Sequence, residues 1–157
     1  MKHSEKLTFD IRGIQECQRN RFPQLFIDSI YDVEPGICAT AVKNFTYNEW
    51  FFPAHFEDDP NVPGHIQIEA LAQTFIMTFL TLEEYKGMKT NFININNAFF
   101  KRKIIPGDQL IIHASLDSIK RGIAKGSVKS HVNHEDACSA DFIIALPDVL
   151  ARYKPRI

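Results

Sequence analysis

From Gly64 to Tyr85 the chain has no proline, and its apolar positions (Ile66, Ile68, Leu71, Phe75, Ile76, Met77, Phe79, Leu80, Leu82) cover far more than one stripe. Apolar residues on several sides predict one long helix surrounded by protein. Its only carboxylate before Glu83 is Glu69. Ile11, Ile14 and Cys17 recur at helical spacing and predict a short leading helix, stopped at Arg21-Phe22-Pro23. Residues 25–33 and 37–46 read as two strands joined by the Glu34-Pro35-Gly36 turn. Residues 90–105, 108–119, 122–133 and 137–146 read as four more, with connections of hairpin length.

The order is a short helix, two strands, one buried helix and then about four strands, with no repeat or linker between them. A parallel sheet would need a helix between successive strands, so the class is α+β with an antiparallel sheet curled round a single helix. Such a protomer leaves a sheet edge uncovered, and at least a dimer is expected.

With 157 residues the chain fits a single domain spanning 1–157, and 45% apolar with 24% charged residues is the balance of a folded globular protein. The net charge of −1 carries no basic excess of the kind nucleic-acid binding requires. No stretch has the ~18 continuous apolar residues of a membrane span, and the N-terminus lacks a signal-peptide pattern, so cytoplasm is the expected location. Cys17, Cys38 and Cys138 are odd in number, far apart and without a CxxC pair, and are expected to be reduced thiols. Thirteen phenylalanines suit either an aromatic core or a lined apolar cavity.

Candidate chemistry begins in PAHFEDDPNVPGHIQIEALAQ, residues 53–73. Proline makes the first part a loop, which carries His55. A histidine titrates near neutral pH, and a glutamate among apolar side chains is disfavoured in its charged form. Such a pair can supply base and acid together. Pro63-Gly64 marks the helix start, where free N–H groups and the helix dipole can stabilise an oxyanion. Gln73, four residues after Glu69 and on the same face, can orient it or hold a water.

RFPQLFIDSIYDVEPG, AVKNFTYNEWFFPAHF, PNVPGHIQIEALAQ and NNAFFKRKIIPGDQL resemble, in that order, the blocks of the FabZ-type (3R)-hydroxyacyl-[acyl-carrier-protein] dehydratases, over roughly residues 14 to 147. The resemblance implies the hot-dog fold, with the helix as sausage and the sheet as bun. It implies that His55 and Glu69 are catalytic and meet across a homodimer interface. Gly64 would offer the N–H that grips a thioester carbonyl, and the Asn61 carbonyl would hold the histidine ring. The reaction implied is loss of water from a 3-hydroxyacyl thioester to give the trans-2-enoyl product, in fatty-acid or related lipid or polyketide synthesis. Acyl-carrier protein is the implied partner, with no metal or redox cofactor. Hexamers built as trimers of dimers are also compatible. The proton for the leaving hydroxyl is expected from Glu69, from a water it holds, or from the newly protonated histidine.

The chain departs from the family at the loop tip, where Ala54, Glu57 and Asp58 replace the usual glycine, proline and glycine, so a different loop path is expected. Asn20 stands where a histidine is common, and His65 where a small apolar residue is usual; His65 is expected beside the pocket. Phe51, Phe52, Phe75 and Phe79, with Trp50, are candidates for an acyl tunnel or for plain core. Lys101, Arg102 and Lys103 are candidates for docking the acidic carrier protein; Lys120, Arg121 and Lys125 lie in the same basic region, and a solvated sheet surface is the alternative for all six. The string His131, His134, Glu135, Asp136 is read as a polar hairpin turn rather than a metal site. An acyl-thioester hydrolase and a non-catalytic acyl-binding or partner subunit of the same fold are the other readings.

Overall fold

The computed structural model describes residues 6–153. In chain order it contains β1 (Leu7–Phe9), α1 (Ile11–Cys17), β2 (Ser29–Glu34), β3 (Cys38–Asn44), α2 (Gly64–Leu80), β4 (Asn91–Phe100), β5 (Gln109–Lys120), β6 (Ile123–Val132), β7 (Glu135–Ala145) and α3 (Pro147–Leu150), followed by a 3-10 turn at Ala151–Tyr153. The strands form one seven-stranded sheet in the order β1-β2-β3-β5-β6-β7-β4, every pair antiparallel. α2 lies across its inner face, against β3, β5, β6 and β7.

Every residue of α2 from Ala70 to Leu80 is buried, as a helix apolar on all sides must be. Phe75 sits at the centre, edge-on to Phe79 with centroids 5.7 Å apart and stacked on Phe142 at 5.9 Å. Burial of each such ring is worth about 1.5–3 kcal/mol. The sheet makes room for Phe75 at Gly126 of β6. A Cβ there would lie 2.5 Å from Phe75 Cε2 and would also strike the Ser115 carbonyl oxygen.

Two expectations need correction. α2 stops at Leu80 rather than near Tyr85, and the chain continues in turns such as Leu82 N–H to Phe79 carbonyl (3.1 Å) and Tyr85 N–H to Leu82 carbonyl (2.9 Å). Thr78 and Thr81 donate their hydroxyls back to the Phe75 and Met77 carbonyls, a contact that competes with helix propagation. A seventh strand, β1, was not expected. Three residues carry too little periodicity to be read, and it forms only because β2 offers an edge.

β4 occupies the opposite edge and is exposed along all ten residues, with Phe92, Ile93, Ile95, Phe99 and Phe100 each 40–58% accessible. Cys17 and Cys138 are buried and Cys38 is half-buried; burial pushes the Cys138 thiol up to about 11, keeping it protonated. No helix among the described residues is long and apolar enough to cross a membrane.

Candidate active site

The loop between β3 and α2 is built to fix His55. At its start Lys43, almost wholly buried, contacts the Glu49 carboxylate and lies 3.8 Å from Asp28. Phe56 N–H bonds the Asp59 carbonyl and Asp59 N–H the Phe56 carbonyl, each at 3.2 Å, closing the loop tip. Val62 N–H then bonds the Ile104 carbonyl at 2.8 Å. Neither Glu57 nor Asp58 takes a positive φ, the conformation for which glycine would be favoured there. Asp59 also contacts the Lys103 ammonium, tying the tip to the β4–β5 connection.

His55 is half-buried and stacked on Phe56 with ring centroids 4.5 Å apart. Its Nδ1 lies 3.1 Å from the Asn61 carbonyl oxygen. A carbonyl only accepts, so Nδ1 carries the hydrogen of this contact and Nε2 is the ring nitrogen left for other partners.

Glu69 projects from the second turn of α2. Its Oε1 accepts from Gln73 Nε2 at 2.9 Å and from Asn20 Nδ2 at 3.3 Å. Of the two roles open to Gln73, orientation is the one the geometry favours. Its Nε2 also donates to the Gln24 carbonyl at 2.6 Å, so both amide hydrogens are committed, and its Oε1 accepts from Phe26 N–H at 2.7 Å.

Glu69 borders two cavities. One, of about 660 Å³, is walled by Trp50, Gly64, His65, Ile68, Phe92, Ile95 and Phe100. The other, about 70 Å³, is lined among others by Asn20, Gln73, Thr90 and Asn91. Gly64 opens α2 behind Pro63, with no side chain capping the first turn and no acidic residue in it. Its missing side chain matters, because a Cβ would stand 3.1 Å from Phe100 Cε1. His65, one residue on, is exposed and lines the larger cavity.

The structure therefore brings Gly64, His65 and Glu69 to one cavity, with Gln73 bonded to Glu69, and joins His55 to Asn61. His55 lines neither cavity that Glu69 borders. Phe51, Phe52, Phe75 and Phe79 are buried in the core, and none lines either cavity at Glu69. The aromatic wall comes from Trp50 and from Phe92 and Phe100 of β4. Sequence reading missed the β4 wall, although a strand reading NFININNAFF is too apolar for a solvent edge. Asn20 and Gln24 carried no local signal.

Each proposed docking cation already has a carboxylate neighbour. Lys101 bonds Asp136 at 2.8 Å, Arg102 reaches Glu135 at 3.1 Å and Asp108 at 3.5 Å, and Lys103 holds Asp59. The hairpin read at 134–136 turns at Asn133 and His134, both at positive φ, while Glu135 and Asp136 begin β7. His113, His131 and His134 stack as a column with centroids 5.2 and 6.1 Å apart. Among the described residues no group of three His, Cys, Asp or Glu side chains is arranged to hold a metal ion.

An antiparallel sheet wrapped round one helix defines the hot-dog class, and in this chain a carboxylate on that helix lies beside a cavity at its N-terminus. Solved structures agree on the fold. A dehydratase heterocomplex, ApeI:P from Xenorhabdus doucetiae, superposes with a TM-score of 0.75 over 89% of this chain and 95% of its own, at 11% identity. A hypothetical thioesterase with coenzyme A from Streptococcus pneumoniae superposes at 0.54, over 71% and 80%, with 12% identity. The FabA-like domain model matches residues 19–141. The 3-hydroxyacyl-[acyl-carrier-protein] dehydratase FabZ of Listeria welshimeri is 41% identical over 140 residues, 89% of this chain and 97% of the relative. That of Bacillus cereus is 40% identical over 139 residues, 88% and 96%. The chain belongs to the FabA-like family, in its FabZ dehydratase branch.

Proposed function

We propose that the chain removes water from 3-hydroxyacyl thioesters carried on acyl-carrier protein, giving trans-2-enoyl thioesters for fatty-acid synthesis. The observation that carries this reading is Glu69, fixed by amide donors at the border of an apolar cavity that begins at the uncapped start of α2. His55 Nε2 takes the α-proton, and the C–H electrons form the new double bond as the β-hydroxyl departs. Charge developing on the thioester oxygen is met by the Gly64 N–H and the helix dipole. The hydroxyl leaves as water on receiving a proton at the Glu69 side. Only protons and one C–O bond change hands, so the chemistry calls for no redox cofactor, and none of its steps requires a metal.

The same reading makes each site the joint property of two chains. The ten-residue β4 edge, with five exposed large apolar side chains, is the kind of surface that pairs with a second copy. Its Phe92, Ile95 and Phe100 border the cavity at Glu69, so a partner on β4 would close that cavity, and would bring its own His55 to it. Carrier protein would approach Lys101, Arg102 and Lys103 by exchanging their present carboxylate neighbours for its own acidic groups, an attraction that salt weakens.

The test is a panel of 3-hydroxyacyl carrier-protein thioesters followed by mass spectrometry of the intact thioester. Loss of water is expected, abolished in His55→Ala and in Glu69→Gln; release of free acid would instead identify a hydrolase, and binding without turnover a non-catalytic subunit. Mixing the two inactive variants after subunit exchange should restore about a quarter of wild-type activity if sites are shared, since half the dimers then carry one intact site. No restoration would place both residues in sites within single chains.

A further inference from the structure

We infer that Asn20 is a positioning residue for Glu69, and that with Gln73 it commits the two carboxylate oxygens to different tasks. The inference rests on the proposal that the leaving hydroxyl is protonated at the Glu69 side.

Gln73 is 1% exposed, and its neighbours leave its amide only one orientation. The carbonyl end accepts from Phe26 N–H, so the NH2 end must face the Gln24 carbonyl and Glu69 Oε1. Turned over, it would set N–H against N–H and oxygen against two oxygens. Asn20 Nδ2 meets the same Oε1. Opposite a carboxylate oxygen that already receives one donor, its NH2 group is the end that bonds. Oε1 therefore holds two amide donors, and neither amide can take a proton from it. A proton carried by Glu69 resides on Oε2, the oxygen left for the leaving hydroxyl or for a water.

Asn20 reaches Glu69 from a segment 49 residues away in sequence, and that segment is itself held at both ends. Gln73 binds Gln24 and Phe26 downstream of it. The Arg21 guanidinium binds the carbonyls of Gln15, Gln18 and Asn20, each at 2.8 Å, folding the chain so that the Asn20 side chain points to α2. Asn20 borders the smaller cavity and is absent from the wall of the larger one. It touches the carboxylate from behind, out of reach of an acyl chain on the other side.

Three variants test this in the full-length protein, each checked for unchanged melting temperature and oligomeric state. Asn20→Ala should lower kcat about tenfold with KM within twofold, the size of one lost hydrogen bond to a charged group. Asn20→Asp should be the poorest at neutral pH and should recover as pH falls, because only a protonated aspartate can donate to Oε1. Asn20→His keeps a donor and should restore activity near neutral pH, while adding to the pH–rate profile an ionisation near the ordinary histidine value of about 6.5. An unchanged kcat in Asn20→Ala, or an Asn20→Asp profile parallel to wild type, would overturn the inference. So would a loss of melting temperature in all three variants with kcat and KM unchanged. Glu69→Gln separates the two readings: if it stays active the site assignment itself fails, whereas an inactive Glu69→Gln beside a fully active Asn20→Ala removes only the role of Asn20.

Discussion

His55 and Asn61 hold one another at two points: Asn61 N–H donates to the His55 carbonyl at 2.9 Å, and His55 Nδ1 donates to the Asn61 carbonyl at 3.1 Å. Both contacts use only the backbone of Asn61. Its side chain makes a separate bond, Nδ2 to the Asp59 carbonyl at 3.0 Å. Asn61→Ala is therefore expected to keep kcat within about threefold of wild type, since one exposed neutral hydrogen bond contributes little. In both proteins nitrogen NMR of labelled histidine should find His55 with hydrogen on Nδ1, donated to the Asn61 carbonyl.

At the start of α2 two substitutions separate space from hydrogen bonding. Gly64→Ala keeps the N–H and adds a Cβ 3.1 Å from Phe100 Cε1, and Phe100, half-exposed on an edge strand, can yield. A modest rise in KM and little change in kcat are expected. Gly64→Pro adds a three-carbon ring, more bulk than alanine, and deletes the N–H at a helix position that tolerates proline. If that N–H binds the thioester oxygen, kcat should fall a further 10²–10³-fold. Steady-state kinetics of the pair gives the comparison.

Much of this was legible in advance, for identifiable reasons. α2 announced itself because the chain from Gly64 onward lacks proline and is apolar on every side, and β5, β6 and β7 because β-branched runs are cut at Pro106-Gly107, Lys120-Arg121-Gly122 and His134-Glu135-Asp136. Burial is what such patterns report, and burial does not say against what. Phe75 and Phe92 look alike in sequence, yet one is locked under β6 and the other walls a cavity. Whether His55 and Glu69 share a site was a matter of family likeness, since their separation in sequence fixes no distance. Asn20 was noticed only as a departure; nothing local connects it to a carboxylate 49 residues later.

His113 gives stability a definite pH dependence. Burial, then the nearby His131 and Lys129, hold its pKa below the ordinary 6.5, with Asp32 opposing them, while Thr40 Oγ1 lies 3.1 Å from its Nδ1. The folded state therefore resists the proton that the unfolded chain accepts. Above about pH 6.5 both states are neutral at this residue and it contributes no pH dependence; as pH falls below that, the unfolded chain is protonated first and folded stability declines. Melting temperatures measured from pH 8 to 5 should drop on the acid side, and His113→Gln should flatten that slope while leaving the pH 8 value nearly unchanged.

Gly126→Ala should be among the most damaging single-methyl changes in the chain. The new carbon has nowhere to go, with Phe75 on one side and the Ser115 carbonyl on the other. Overpacking of this kind typically costs about 1–3 kcal/mol and can cost more where backbone is struck. Expression at reduced temperature with thermal denaturation should find a strongly lowered melting point or insoluble protein.

That same glycine acts as a spacer of zero thickness. By carrying no side chain it lets Phe75 touch the sheet, and so sets how deep the whole of α2 is seated. Gly64 lies about three turns away, roughly 16 Å along the same helix. A rigid helix passes on any change of seat at one end to the other. Ångström-level placement of Glu69 and of the helix start is thus decided partly at a strand position that no substrate ever meets, and a catalytic defect can be written there without altering a single residue of the site.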